Sequence, residues 1–425
     1  MKKSVILVVT LVALVSIISI LLLLHFNART VVVRNVPKTG NYYVSQIQPN
    51  DPQYAKLQFS ISLLNHLQNA EPNKSIFYSP HSVYLALFLV YFGAAGETEK
   101  ELKNALGLNW VERKSDMENL YNLEKNVNAN RFQDDTIEFQ SADKLFFSSS
   151  IPIDHRTTKM LNDSIELLNF ADEPDQCIAH INRFVEEVTK NNIKNFTNSN
   201  EITSQTQLAV VNAAYFKGIW ENIFDKKKTT KKLFYSYSEP DPVYVDMMIK
   251  EDVYYEFASN FYLEADVLKI PYKGESGSIS MFVFLPHPDQ AIEKLLEKLT
   301  PEILDNTSNR MIRSKVDLSF PKFSIEKTSN LIPIMKRMGV KELFDENANL
   351  SGFSKSLKQA SDIRHKAKIE VDEWGTTAAA ATKVYSQWSR SSPFNCDHPF
   401  LFLIYDKKMK EILFAGTYHG PEITH

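Results

Sequence analysis

Apolar positions along this chain fall into two rhythms. After Asp51-Pro52, Leu57, Ile61, Leu64 and Leu67 recur at three- and four-residue spacing, which predicts a helix with one buried stripe. Ser79-Pro80 predicts a second helix, with Ser as N-cap and Pro in the first turn. It is apolar nearly all round as far as Phe92 and so belongs deep inside. A third is predicted over residues 97–106, stopped by Gly107, and a fourth over 174–190, with Ile178, Ile181, Val185 and Val188 inward. Short runs rich in β-branched and aromatic residues predict strands over 208–216, 265–272, 279–285, 316–320, 367–371, 400–405 and 412–418. The last two flank Asp406-Lys407-Lys408-Met409, which reads as a hairpin turn. Helices early and strands late, without strict βα alternation, predict an α+β architecture with more than one sheet.

Residues 4–24 follow neither rhythm, being uncharged, free of Pro and dominated by Val, Leu and Ile. A run above about 18 residues is long enough to span a bilayer, whereas a cleavable signal has a shorter apolar stretch of about 7–15 and a small-residue cut site. Ala28 suits such a site and the bulky Phe26 does not, so both a signal peptide and an uncleaved signal anchor fit. In either case Lys2 and Lys3 stay cytosolic and the rest of the chain is exported. The expected location is extracellular, secreted or held at the membrane by residues 4–24. Residues 25–50, interrupted by Pro37, Gly40 and Pro49, read as a tether. From 51 to 421 no linker, repeat or composition break appears, which predicts one domain. Asn73, Asn162, Asn195, Asn306 and Asn349 head Asn-x-Ser/Thr sequons compatible with glycosylation on the export route.

Composition narrows the function classes. With 44% apolar and 23% charged residues the chain is globular, and a net charge of -3 provides no global attraction for nucleic acid or anionic lipid. Two cysteines, Cys177 and Cys396, make no disulfide scaffold. No Gly-rich phosphate cradle, Gly-x-Ser-x-Gly elbow, His-Glu-x-x-His or Cys-x-x-Cys occurs, so neither an enzyme nor a cofactor is expected. Cys177 and His180 stand one helical turn apart, but two ligands close no zinc site, and no metal is expected. Lys226, Lys227, Lys228, Lys231 and Lys232 form the strongest basic cluster, either a solvated turn or a polyanion site.

The most unusual segment runs Gly375, Thr376, Thr377, Ala378, Ala379, Ala380, Ala381, Thr382. Four alanines favour helix by propensity, yet the run is one turn long and carries no apolar stripe. At period two, one face holds Thr376, Ala378, Ala380 and Thr382, all small and uncharged. Such a segment can enter a sheet as a strand without burying charge or forcing bulk into a packed core.

Residues 370–382 as a whole, Glu370-Val-Asp-Glu-Trp-Gly-Thr-Thr-Ala-Ala-Ala-Ala-Thr382, resemble the reactive-loop hinge of the serpins, and Cys396-Asp-His-Pro-Phe-Leu-Phe402 is similar to the strand after their loop. Further blocks resemble the family in order: Ser75-Ile-Phe-Tyr-Ser-Pro-His-Ser82, Gly93-Ala-Ala-Gly-Glu-Thr98, Asn212-Ala-Ala-Tyr-Phe-Lys-Gly-Ile-Trp220, Val316-Asp-Leu-Ser-Phe-Pro-Lys-Phe323, Leu343-Phe-Asp345 and His365-Lys-Ala367. The resemblance implies a serpin domain over 51–421, with three β-sheets, about nine helices and an exposed reactive loop at 375–393. It also implies a suicide substrate. A target protease attacks the loop and forms an acyl-enzyme, the cut hinge inserts into the central sheet, and distortion of the dragged protease prevents deacylation. The implied partner is a serine protease, and the molecule is expected to act as a monomer.

By the same resemblance the hinge comprises Glu373 and Gly375 to Thr382, with Gly375 permitting the bend. Ser79, Ser82, Asn212 and His365 match the polar cluster beneath the strands that part, and Trp220 the aromatic where insertion begins. Family spacing places the scissile bond after Ser389; one residue on, Arg390-Ser391 suits a trypsin-like pocket better, and Trp388 offers a chymotrypsin-like third position. Trp374 departs from the pattern, standing where a charged residue is usual, as do Thr377, Ser75 and Thr417-Tyr418. None places Pro or charge on the inward hinge face. A non-inhibitory serpin acting as a carrier is the alternative.

Overall fold

The computed structural model describes residues 51–111, 113–132, 136–236, 241–274, 278–288, 290–375 and 391–421. Residues 1–50, and with them the leader and tether readings, lie outside these, as does most of the reactive loop, 376–390.

The four helices read from the pattern are present. Helix α1 (Pro52–Ala70) is capped by Asp51, whose carboxylate accepts from Gln53 N–H at 2.9 Å, and it buries Leu57, Ile61, Leu64 and Leu67. Helix α2 (Pro80–Gly93) starts at Ser79, whose hydroxyl oxygen accepts from Ser82 N–H, and is buried almost throughout. Helix α3 (Gly96–Ala105) stops before Gly107, which takes the left-handed φ of 67° that glycine tolerates. Helices α4 (Lys114–Arg131) and α5 (His155–Met160) follow, and α6 (Pro174–Val188) is the fourth helix of the sequence reading. Later come α7 (Ile292–Lys298), α8 (Pro301–Arg310) and α9 (Ile332–Arg337).

Five strands form one sheet in the order β10 (Phe323–Asn330), β11 (Asp362–Val371), β4 (Leu208–Gly218), β2 (Ile137–Ser148), β3 (Ile165–Leu168). Nine form the other: β1 (Ile76–Tyr78), β14 (Glu411–Tyr418), β13 (Phe400–Asp406), β8 (Ile279–Pro286), β7 (Ala265–Pro271), β6 (Val243–Asn260), β9 (Ile312–Pro321) and β12 (Ser392–Asn395), with β5 (Thr230–Phe234) on β6. Strand β6 pairs with β5 through its first residues and β7 through its last, and follows β9 across a bulge between Lys250 and Val253. The third sheet implied by the resemblance is therefore the β5–β6–β9–β12 end of this nine-stranded one.

Alternation along β4 organises the core. Ala209, Val211, Ala213 and Tyr215 face one way, joining Ile181 and Val185 of α6. On the opposite face Leu208 and Val210 join α2 in one apolar cluster, while Ala214 and Phe216 join Phe402 and Phe414 of the other sheet in a second. Asn212 sits on that face between the two. A polar layer thus separates two greasy ones, and it lies in the middle of the sheet.

Candidate functional site

The site is a seam. Strands β4 and β11 run parallel and pair directly from Ala209 with Asp362 to Phe216 with Ile369. Register sets Asp143 of β2 opposite Asn212, and Asn212 opposite His365, so one row crosses three strands.

Geometry fixes the polarity of that row. His365 Nε2 accepts from the Ser79 backbone N–H at 2.9 Å, so the ring proton is on Nδ1, which donates to Asn212 Oδ1. Burial pushes His365 down to about 3, so the ring stays neutral. Asn212 then turns its amide to Ser82 Oγ at 2.5 Å and to Asp143 Oδ1. Ser82 Oγ donates to Asp143 at 2.9 Å, while Ser79 Oγ donates to the Leu413 carbonyl of β14 at 2.7 Å. The four predicted residues Ser79, Ser82, Asn212 and His365 therefore form one connected cluster, and Asn212–His365 is its bond across the seam. Asp143 and Ser141 complete it unforeseen. Burial raises the Asp143 pKa against hydrogen bonds from Ser141, Ser82 and Asn212 and the field of His81. Only the alternation of β2 could have marked these two polar residues as inward.

At one end of the seam the chain leaves β11 and packs on Trp220. The indole is buried, stacked on Tyr272 at 4.5 Å between centroids, and its Nε1 donates to Asp372 O at 3.0 Å. Trp220 N donates to Trp374 O at 3.2 Å, and Phe224 N to Glu373 O at 2.8 Å. The Glu373 carboxylate accepts from Thr229 Oγ1 at 2.8 Å and pairs with Lys322 at 3.0 Å. Burial alone raises its pKa, but its own backbone N–H, Lys322 and Thr229 outweigh that and hold it below the usual range.

Gly375, buried at φ 65°, ends the described hinge. A Cβ there lies 2.2 Å from Gly218 O and 2.4 Å from Trp220 N, backbone atoms that cannot step aside. Gly375→Ala is expected to destabilise the uncleaved protein by about 1–3 kcal/mol from the left-handed backbone alone, before any clash. Denaturant midpoints check this, and an unchanged midpoint contradicts the packing described.

The match of a family model described as "Serpin (serine protease inhibitor)" extends over residues 54–421. The chain belongs to the serpin family. It is 34% identical over 383 residues to "Serine protease inhibitor 88Ea" of Drosophila melanogaster, covering 86% of this chain and 89% of that one. It is 34% identical over 394 residues to human "Serpin B3", covering 88% and 100%. The crystal structure of uncleaved ovalbumin superposes with a TM-score of 0.78 at 27% identity, covering 87% of this chain and 100% of the other. The family is one of protease inhibitors rather than enzymes, and the fold is the serpin fold.

In this serpin the remaining predicted positions are scattered. Thr376 to Thr382, Trp388, Ser389 and Arg390 lie outside the described residues. Ser391 is half-buried, its hydroxyl donating to Asp317 of β9, and it leads directly into β12, which pairs in parallel with β9. Asn73, Asn195 and Asn349 are exposed and Asn306 is half-buried on α8; the Asn162 side chain lies outside the description. All five clustered lysines are exposed, but Lys228 pairs with Glu251 at 2.6 Å and Lys231 with Asp246 at 3.0 Å, which weakens the field offered to a polyanion. Cys177 and Cys396 are buried free thiols, and His180 hydrogen-bonds Glu166. Among the described residues no group of three or more His, Cys, Asp or Glu is placed to hold a metal, and no helix is long and apolar enough to cross a membrane.

Proposed function

We propose that this serpin is an exported, single-use, monomeric inhibitor of a trypsin-like serine endopeptidase, which cuts its loop at Arg390-Ser391. The observation that carries the reading is the β4–β11 seam, latched by one side-chain bond and adjoined by a hinge whose inward face holds only Thr376, Ala378, Ala380 and Thr382.

The protease serine Oγ adds to the Arg390 carbonyl, the bond to Ser391 nitrogen breaks, and that nitrogen leaves as an amine with the proton relayed by the protease histidine. Arg390 remains as an ester on the protease. Ser391 stays on the body through β12, while the hinge is free to move. Its entry between β4 and β11 takes their spacing from about 4.8 Å to about twice that, so Asn212 and His365 must part. New ladders form on both sides of the inserted strand, each hydrogen bond contributing about 0.5–1.5 kcal/mol.

Mixing the full chain with trypsin-like proteases is expected to give an SDS-stable complex and a released peptide beginning at Ser391. Cleavage without a complex for any of them overturns the reading. Arg390→Ala is expected to abolish the complex with these proteases; a peptide beginning at Arg390 or Ser389 instead assigns the cut to Ser389 or Trp388. A carrier is the second reading, favoured by a melting midpoint that loop cleavage leaves unchanged. Asn73, Asn195 and Asn349 are the sequons whose exposure suits glycosylation.

A further inference from the structure

His398 lies in the link from β12, which anchors the C-terminal side of the reactive loop, to β13. Both of its ring nitrogens face acceptors. Nδ1 is 2.8 Å from Asp397 Oδ1 and Nε2 is 2.9 Å from the Pro286 carbonyl at the end of β8. A neutral imidazole carries one N–H and can satisfy only one of them, leaving the other ring nitrogen's lone pair against an oxygen. An imidazolium satisfies both. We propose that protonated His398 is a positioning residue for the inhibitory reaction, clamping the strand that holds the loop, and that the clamp releases as pH rises.

The link around it is otherwise well tied. Cys396 N donates to Ser319 O of β9 at 2.9 Å, and Tyr235 N to Asp397 O at 2.7 Å. His398 therefore adds the tie to β8. Among the described residues, the ionisable side chains in or against this link are Asp397, the buried Cys396 thiol and Tyr235 and, beyond Pro286, His287, which pairs with Asp266 at 3.5 Å. Burial lowers the affinity of His398 for its proton, but the Asp397 carboxylate and the Pro286 carbonyl outweigh burial and raise the pKa above the ordinary value. The sign follows. A His whose folded pKa is raised contributes stability fully present below the unfolded pKa of about 6.5, and that contribution is lost as pH rises through the folded value. Among the described residues strand β12 pairs only with β9, at the end of its sheet, so a weakened link loosens it first.

This rests on the loop reading above, but its test needs no protease. In the full chain labelled at histidine ring carbons, the resonance lost in His398→Gln is expected to titrate above about 6.5 in the wild type. Amide exchange in β12, corrected for its intrinsic pH dependence, is expected to be several-fold slower in wild type than in the variant at pH 5.5, and the same in both at pH 8.5. A wild-type titration at or below about 6.5 overturns the proposal, as does a difference of equal size at both pH values, which marks a merely structural residue. If the variant does not fold, the wild-type resonance that titrates with β12 exchange decides. Absence of any protease complex in the same preparation counts against the inhibitor reading and leaves these measurements intact.

Discussion

If the chain inhibits as proposed, Thr376→Arg is expected to turn it into a substrate, its loop cut as fast as before and the protease released. Thr376 is the first residue beyond Gly375 and, at period two, the first position of the face expected to turn inward on insertion. In the proposed insertion it comes to that end of the seam between Phe216 of β4 and Ile369 of β11, beside the apolar cluster of Ala214, Ala367, Phe402 and Phe414, and the Glu373 carboxylate is already engaged by Thr229 and Lys322. An unpaired guanidinium loses its hydration there at a cost of several kcal/mol. Insertion races deacylation, and a barrier raised by about 3 kcal/mol slows it about a hundredfold. The cut itself is chemistry at residues 388–391, remote in sequence from the change. Cleavage kcat/KM is thus expected to match wild type while the complex disappears and the inhibitor consumed per protease rises at least tenfold. Thr376→Val, small and uncharged, keeps the complex. Retention of wild-type stoichiometry in Thr376→Arg removes insertion from the account.

What the sequence discloses here follows the reach of local pattern. Helix α2 and strands β8, β13 and β14 are apolar almost without interruption, so they are read with small boundary errors. Strand β2 hides because two of its inward positions are Ser141 and Asp143, polar for the sake of the latch. Strand β6 hides behind Lys250, Glu251 and Asp252 at its bulge, and β10 because only Phe323 and Ile325 are buried in it. The hinge reading rests on a small, uncharged face at period two, which is a property of consecutive residues, and Thr376 to Thr382 lie outside the described residues. Ser79, Ser82, Asn212 and His365 come from family resemblance, Ser141 and Asp143 come only from the structure, and long-range pairings come from neither pattern nor spacing: Asn212 meets His365 across 153 positions and Glu373 meets Lys322 across 51. No spacing rule reaches that far.

Trp220→Ala is expected to lower the stability of the uncleaved form by about 3–5 kcal/mol, the usual consequence of removing a buried Trp. The indole is 1% exposed, and its loss leaves Tyr272 without its stacking partner and the Asp372 carbonyl without its shorter hydrogen bond, keeping only the Gly375 N–H at 3.3 Å. These are also the contacts that press residues 372–375 onto β4, since Trp374 O and the Gly375 backbone lie against the Trp220 amide. The end of the seam nearest the hinge therefore loosens first. In the proposed inserted form the segment beyond Gly375 turns back as a new strand between β4 and β11, and the Asp372 and Trp374 contacts are no longer what holds it. The nicked form is accordingly expected to lose less than the intact form, and denaturant midpoints of both, measured side by side, read the difference. Equal losses in the two forms assign Trp220 to general core packing. A wild-type midpoint in the intact variant contradicts the packing of the hinge itself. Trp220→Phe, which keeps a ring on Tyr272 but has no N–H for Asp372, separates stacking from the hydrogen bond and is expected to fall between.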